Sequence, residues 1–248
     1  MKGGNLMTDL MKNGNPDQIP DEPANRDLAK PSDKKELSFD EKVEALDRFI
    51  HFEPLIREVD YKTLLFCETR RNLSDIEEAM ASFPEFKGAT RDQFALVTEL
   101  VDHYGLAFFE LDAEGRVVTE ADKDGLTENE VDDLVVGFAY ETTEVGRAVA
   151  ERLDPHRRFA ELVEAAPERE PLYRALLNLL RVKRTFAEVD SYVRGSEGAM
   201  VLAQAGVGGM QPSVFVDKLE RAGVLFYDGG WQATEAGIEV LDGVRAAA

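Results

Sequence analysis

Few residues of this chain stand where chemistry could be done. The three histidines, His51, His103 and His156, are scattered, and none has a second ligand at metal-binding spacing. The single cysteine, Cys67, excludes an internal disulfide, fits a reducing cytoplasm and reads as a small buried hydrophobe. The stretch Glu120-Ala121-Asp122-Lys123-Asp124-Gly125 alternates oxygen ligands ahead of a glycine, as a calcium loop must. The pattern then fails, because the closing bidentate acid belongs at Val131 and both Glu130 and Asp132 miss it by one position. A solvated acidic insert outweighs a calcium loop here. Gly206-Val207-Gly208-Gly209 lacks both the following Lys-Ser/Thr and the preceding strand that a phosphate loop needs. No Ser-His-Asp or Cys-His arrangement can be argued, and the carboxylates are too numerous for any two to be singled out as an acid–base couple. The expectation is a protein that is not an enzyme and takes no cofactor and no metal.

Charge narrows the partners. The net charge is −20 over 248 residues, whereas a protein that neutralises phosphates needs Lys and Arg. The imbalance is concentrated between Glu41 and Pro167, which hold 30 acidic and 14 basic residues; Glu168 to Ala248 hold 11 and 9. Contact with nucleic acid would therefore have to come from the C-terminal third. No apolar run approaches the ~18 residues of a membrane span. The polar N-terminus argues against a signal peptide, so the expected location is cytoplasmic.

The elements that must position any site follow from punctuation and periodicity. Residues 1–37 carry no apolar period and read as a disordered tail. Ser38 with Glu41 forms a capping box ahead of a helix bearing Val43, Leu46, Phe49 and Ile50. Helical stretches follow around Tyr61 to Phe66 and from Asn72 to Met80, and then one capped by Thr90 that carries Phe94, Val97, Val101 and Tyr104. Gly105 ends that helix. Leu106 to Leu111 and Arg116 to Val118 read as a hairpin, Glu120 to Asp133 as an acidic insert, Leu134 to Tyr140 as a further strand, and Thr143 onward as a helix. Near the C-terminus, Pro212 opens a helix with Phe215, Val216 and Leu219 on one face. Gly223 ends it, Val224 to Tyr227 form a strand, Asp228-Gly229-Gly230 turn the chain, and Trp231 opens the return.

Helix, tight glycine, strand, glycine turn, strand: Pro212 to Leu241 resembles the third helix and wing of a winged-helix domain. Four anchors recur in the same order earlier in the chain. Tyr61 to Leu65 is echoed by Tyr173 to Leu177, Leu73 and Ile76 by Phe186 and Val189, Gly105 by Gly223, and Thr143 to Gly146 by Thr234 to Gly237. An internal repeat of this kind sets the whole fold. The expected class is α+β, mainly helical, with two tandem winged-helix domains after the tail: residues 38–156, whose wing carries the acidic insert, and residues 157–248. Residues 60–153 and 171–241 should superpose, with Leu106 to Val118 forming a hairpin.

In a DNA-reading helix-turn-helix the third helix presents Arg, Lys, Asn or Gln to base edges. With Leu219 inward, the second unit presents Ser213, Val214, Asp217 and Arg221, flanked by Lys218 and Glu220. Arg221 lies four residues after Asp217 and could simply be paired with it. Arg181, Lys183 and Arg184 form a second basic cluster, able to hold phosphates or merely to complement a helix dipole. The candidate DNA or phosphate contacts are thus Arg181, Lys183, Arg184, Ser213, Lys218 and Arg221. In the first unit, with Val101 inward, the outward face is Asp92, Ala95, Leu96, Glu99, Asp102 and His103. Such a face repels phosphate, and Asp92, Leu96, Glu99 and His103 are its candidate protein-partner contacts.

In architecture the chain resembles the acidic tandem winged-helix subunits that clasp the kleisin of bacterial chromosome-organising complexes. That resemblance implies a protein–protein adaptor in a DNA-associated complex. The alternative is a winged-helix transcription regulator that binds DNA through its C-terminal unit. The expected partner is another protein, with DNA reachable through the second unit only, no membrane, and a homodimer compatible with the pattern.

Overall fold

A computed structural model describes residues 37–54, 56–195, 203 and 211–243. The expected disordered tail and the Gly206–Gly209 loop lie outside the described residues. The chain is mainly helical with little sheet. Its first half comprises α1 (Phe39–Phe52), α2 (Arg57–Phe66), β1 (Arg71–Asn72), α3 (Leu73–Ser82), α4 (Gln93–Asp102), β2 (Leu106–Leu111), the short α5 (Glu120–Lys123) and α6 (Glu128–Leu134), β3 (Gly137–Thr142) and α7 (Glu144–Leu153). The second half comprises α8 (Pro155–Ala165), α9 (Glu170–Leu179), α10 (Phe186–Arg194), α11 (Pro212–Arg221), β4 (Leu225–Tyr227), β5 (Trp231–Ala233) and α12 (Glu235–Asp242). Each half closes on its own apolar cluster. Leu46, Leu64, Ile76, Met80 and Leu100 are at the centre of one, and Leu172, Tyr173, Leu176, Phe215 and Leu219 at the centre of the other.

The starts of the helices are written in local chemistry. Ser38 caps α1 in a full capping box, with the Ser38 amide donating to the Glu41 carboxylate at 2.8 Å. Thr143, Thr185 and Thr234 cap α7, α10 and α12 through their hydroxyls, each worth about 1 kcal/mol. The cap of α4 is Asp92, accepting from the Ala95 amide at 2.8 Å, and not Thr90 as its sequence position suggests.

The first half's sheet departs from the expected hairpin. β2 pairs along its full length with β3, antiparallel, from Leu106 opposite Thr142 to Leu111 opposite Gly137. Arg116 to Val118 returns only far enough for an isolated Leu111–Val117 bridge and a Val118 amide bond to the Glu110 carbonyl at 2.8 Å. The strand expected over Leu134 to Tyr140 is therefore displaced: residues up to Leu134 finish α6, and the paired segment is Gly137–Thr142. Two short capped helices fill the loop, and this extra length is what separates β2 from its true partner.

The halves share one scheme of backbone bonds. The Thr142 amide donates to the Cys67 carbonyl, and the Ala233 amide to that of Leu180, both at 2.8 Å. The Thr143 amide donates to the Gly105 carbonyl, and the Thr234 amide to that of Val224, both at 3.1 Å. Arg71 pairs with Tyr140, as Arg184 does with Trp231. Gly146 and Gly237 sit where a Cβ would overlap the Gly105 and Val224 carbonyl oxygens respectively, so each is required for α7 and α12 to reach the turn beneath. This register corrects two sequence anchors by one residue. Gly223, with φ 75°, corresponds to Tyr104, with φ 70°, and not to Gly105; and since Cys67 corresponds to Leu180, Tyr173 corresponds to buried Asp60 rather than to Tyr61.

A charged latch joins the halves. Arg158 of α8 donates to both carboxylate oxygens of Glu58 on α2, at 2.8 and 2.9 Å, and Arg57 donates to Glu58 at 3.0 Å. The same guanidinium groups reach the carbonyls that end α11: Arg158 to Arg221 at 2.9 Å and Arg57 to Glu220 at 3.4 Å. Positive charge at a helix C-terminus complements its dipole. Burial alone would raise the Glu58 pKa, but Arg158 and Arg57 hold it below its ordinary value. Gly223 is needed twice here, for its positive φ and because Arg158 lies where its Cβ would project.

Candidate functional site

The face formed by the outer side of the fourth helix and the adjoining strands occurs once in each half, and the two copies differ in character. In the second half α11 buries Phe215, Val216 and Leu219 and turns Ser213, Asp217 and Arg221 outward, as the helical periodicity predicts. Each cation expected to meet phosphate, apart from Lys218, is held by a carboxylate of its own half. Arg221 donates to both oxygens of Asp217 at 2.9 and 3.0 Å. Arg181 pairs with Asp242, Lys183 with Asp228 at 3.1 Å and Arg184 with Glu188 at 3.1 Å. Lys87, from the first half, also reaches Asp228 at 3.1 Å. Lys218 is half-buried and pairs with nothing among the described residues. Arg181, Lys183, Arg184, Ser213, Lys218 and Arg221 thus lie in one half without forming a stripe of free positive charge.

The first half has a different surface from the one expected. Leu96 is 1% exposed and belongs to the core with Val97 and Leu100, so its expected role as an outward contact is overturned. The cause is the turn register. With Tyr104 as the left-handed residue, Leu100 takes the place of Leu219; anchoring on Gly105 put Val101 there and rotated the helix by one residue, about 100°. The other three candidates have structural duties. Asp92 caps α4. Glu99 binds Arg91, which also binds Glu53. His103 stacks on Phe49 with ring centroids 3.9 Å apart, and its Nδ1 lies 2.9 Å from the Glu99 carbonyl oxygen. Asp60 is buried beside this cluster without a hydrogen bond to its carboxyl among the described residues; burial drives its pKa well up, and Glu99 and Glu53 add to the effect against the pull of Arg91.

The true outward face of α4 carries Phe94, Thr98 and Asp102. Phe94 is 55% exposed, Phe108 on β2 44% and Phe138 on β3 45%. The antiparallel register puts Phe108, Phe138 and Tyr140 on one face of the sheet. Phe108 has its ring centroid 5.4 Å from that of Phe138 and 5.6 Å from that of Tyr140. With Thr98 and Val101 these residues line an open groove of about 280 Å³. The equivalent positions in the second half are Ser213, Asp217, Glu220, Tyr227, Gly229 and Trp231. The helix side of this face is thus led by Phe94 in the first half and by Ser213, Asp217 and Glu220 in the second, while the strand side keeps an aromatic pair, Tyr227 and Trp231, with ring centroids 5.2 Å apart.

The acidic insert uses its carboxylates locally. Asp122 accepts from the Thr119 amide at 2.8 Å within a capping box, and Lys123 pairs with Glu110 and Glu120. No group of three or more His, Cys, Asp or Glu among the described residues is arranged to hold a metal ion. No helix among them is long and apolar enough to cross a membrane. No family model, no curated protein and no solved structure matches the chain.

Proposed function

We propose that the chain is a tandem winged-helix protein that works as a protein–protein adaptor in a DNA-associated complex. The fold reading is supported by the order of helices and strands in each half and by their shared backbone bonds. One observation carries the functional reading: on the helix-and-wing face, where a DNA-reading member of this superfamily would carry free cations, the second half has every expected cation but Lys218 paired with a carboxylate, and the first half has exposed phenylalanines. A cation paired at 2.9–3.1 Å within its own domain must give up that partner before it can displace counterions from a duplex.

The test is fluorescence anisotropy with labelled random and genomic duplexes at two salt concentrations. The expected result is binding weaker than the roughly micromolar non-specific affinity of ordinary DNA-binding proteins. Tight, salt-dependent binding that disappears when Arg181, Lys183 and Arg184 are changed to Ala would establish the alternative, a regulator that reads DNA through its C-terminal unit. Tight binding that survives the triple change would overturn both the adaptor and that mapping.

A further inference from the structure

The aromatic groove of the first half has a chemistry that selects its occupant. Phe94, Thr98 and Val101 are spaced i, i+4, i+7 along α4, a stripe of about 10 Å at 1.5 Å per residue. Phe108, Phe138 and Tyr140 form the opposite wall. Side chains this large and this exposed, gathered in one concave place, mark a contact surface. The surroundings are acidic. Asp102 is exposed one turn beyond Thr98, and Glu77 of α3, after burial, contributes to the raised pKa of the Tyr140 hydroxyl. Neither pairs with a cation among the described residues. The loop that delivers Phe138, residues 112–136, holds nine carboxylates against Arg116 and Lys123, and both of those cations are engaged locally. The neighbouring Arg70 is committed to Glu141 and to the face of Phe109, and Arg71 to the ring of Phe66.

We infer that this groove docks a basic amphipathic helix of a partner protein, its apolar ridge seated on Phe94, Phe108 and Phe138 and its Lys and Arg side chains meeting the acidic rim. The inference rests on the adaptor reading and identifies the class of segment that reading requires. A helix fits because the stripe on α4 offers the i, i+4, i+7 spacing that an amphipathic helix matches along two turns. A basic one fits because an acidic flank would be repelled by Glu77, Asp102 and the net negative charge of residues 112–136.

The experiment uses the full chain and a fluorescein-labelled synthetic peptide of about four helical turns, with Leu and Phe at i, i+3, i+4 and i+7 and Lys on both flanks. A second peptide carries Glu in place of every Lys. The Lys peptide should bind saturably and more weakly as salt rises, and the Glu peptide should not bind. The double variant Phe94→Ala with Phe138→Ala should weaken binding by roughly thirtyfold, the usual cost of losing an aromatic anchor. Thr98→Glu, which sets a bulkier charged side chain in the apolar floor of the groove at an exposed position, should weaken it comparably. Glu77→Gln with Asp102→Asn should flatten the salt dependence. The inference is overturned if the Lys peptide fails to bind, if the Glu peptide binds equally well, or if the aromatic variants, shown by circular dichroism to be folded, bind it as the parent does. A dimer in sedimentation equilibrium that Thr98→Glu dissolves would assign the groove to a second copy and overturn the inference too. Duplex binding in the anisotropy assay would instead defeat the adaptor reading itself, whatever the peptides do.

Discussion

Replacing Glu58 by Gln should uncouple the two halves. In the parent its carboxylate accepts from Arg158 at 2.8 and 2.9 Å and from Arg57 at 3.0 Å. The side chains are 13%, 9% and 7% exposed for Glu58, Arg158 and Arg57. Glutamine keeps the shape but leaves two buried guanidinium groups with no counter-charge. Breaking a buried pair from one side costs about 3–5 kcal/mol. The carbonyls of Arg221 and Glu220 stay in place to accept from both arginines, so a value near the lower end, about 3 kcal/mol, is expected. Against a total stability of about 5–15 kcal/mol, that is a large share. The assay is urea unfolding followed by two signals: fluorescence of the sole tryptophan, Trp231, reports the second half, while far-ultraviolet circular dichroism reports both. The signals should coincide in the parent and separate in the variant. Acid adds an independent check. Because the folded-state pKa of Glu58 is depressed, its contribution is present above the unfolded value, about 4.3, and is lost as pH falls through the lower folded value. Glu58→Gln should therefore remove part of the acid sensitivity of stability. A midpoint shifted by less than the equivalent of about 1 kcal/mol, with coincident signals, would refute the latch.

Other perturbations follow from the same packing. Asp60 is an acid whose folded pKa is raised, so stability should fall as pH climbs from the ordinary Asp range through that raised value; Asp60→Asn should gain about 1–2 kcal/mol at neutral pH and flatten the profile, and no gain in thermal midpoint would count against it. Gly146→Ala or Gly237→Ala places a Cβ against the Gly105 or Val224 carbonyl oxygen, and each should cost about 3 kcal/mol or more in chemical denaturation; a neutral result at either position would break the equivalence of the two turns. The buried Cys67 thiol, pushed up to about 12 by burial, should react with a thiol reagent at mild alkaline pH only as fast as the protein opens, and rapid labelling of the native protein would contradict its burial.

Much of the frame was legible because its signals are local. Ser38 with Glu41, Thr143 and Thr234 announce helix starts by residue type, and Pro212 and Gly223 bracket α11. The strand over Leu106 to Leu111 was legible too, but its pairing was not, for the opposite reason. Pairing β2 with β3 spans a 25-residue insert, and the nearer Arg116–Val118 offered a shorter loop that sequence pattern alone favours. The groove was missed through a single register error. A glycine follows the turn at Gly105, yet the left-handed residue is Tyr104, whose ring lies under Lys42 Nζ at 5.3 Å. Counting four residues back from the left-handed position in both halves aligns Leu100 with Leu219 and brings Phe94 and Thr98 to the surface, but a tyrosine at that position carries no sequence signal for it.

The two halves share a backbone frame and differ on its outer face. What they keep in common is backbone: the bonds from Thr142 and Ala233, the threonine caps and the glycines beneath them. These requirements do not reach the outer face, which each half fills differently. At the positions of Phe94 and Thr98 stand Ser213 and Asp217, and Asp217 in turn neutralises Arg221. Ser213 leaves the second copy without the apolar anchor, and one turn on, Asp217 in place of Thr98 supplies the carboxylate that holds its cation. The first copy keeps its anchors, with Glu77 and Asp102 beside them and paired with no cation among the described residues. Two halves of one geometry therefore carry unlike surfaces: Phe94, Phe108 and Phe138 line a groove in the first, whereas the exposed Tyr227 of the second packs edge-on against Trp231.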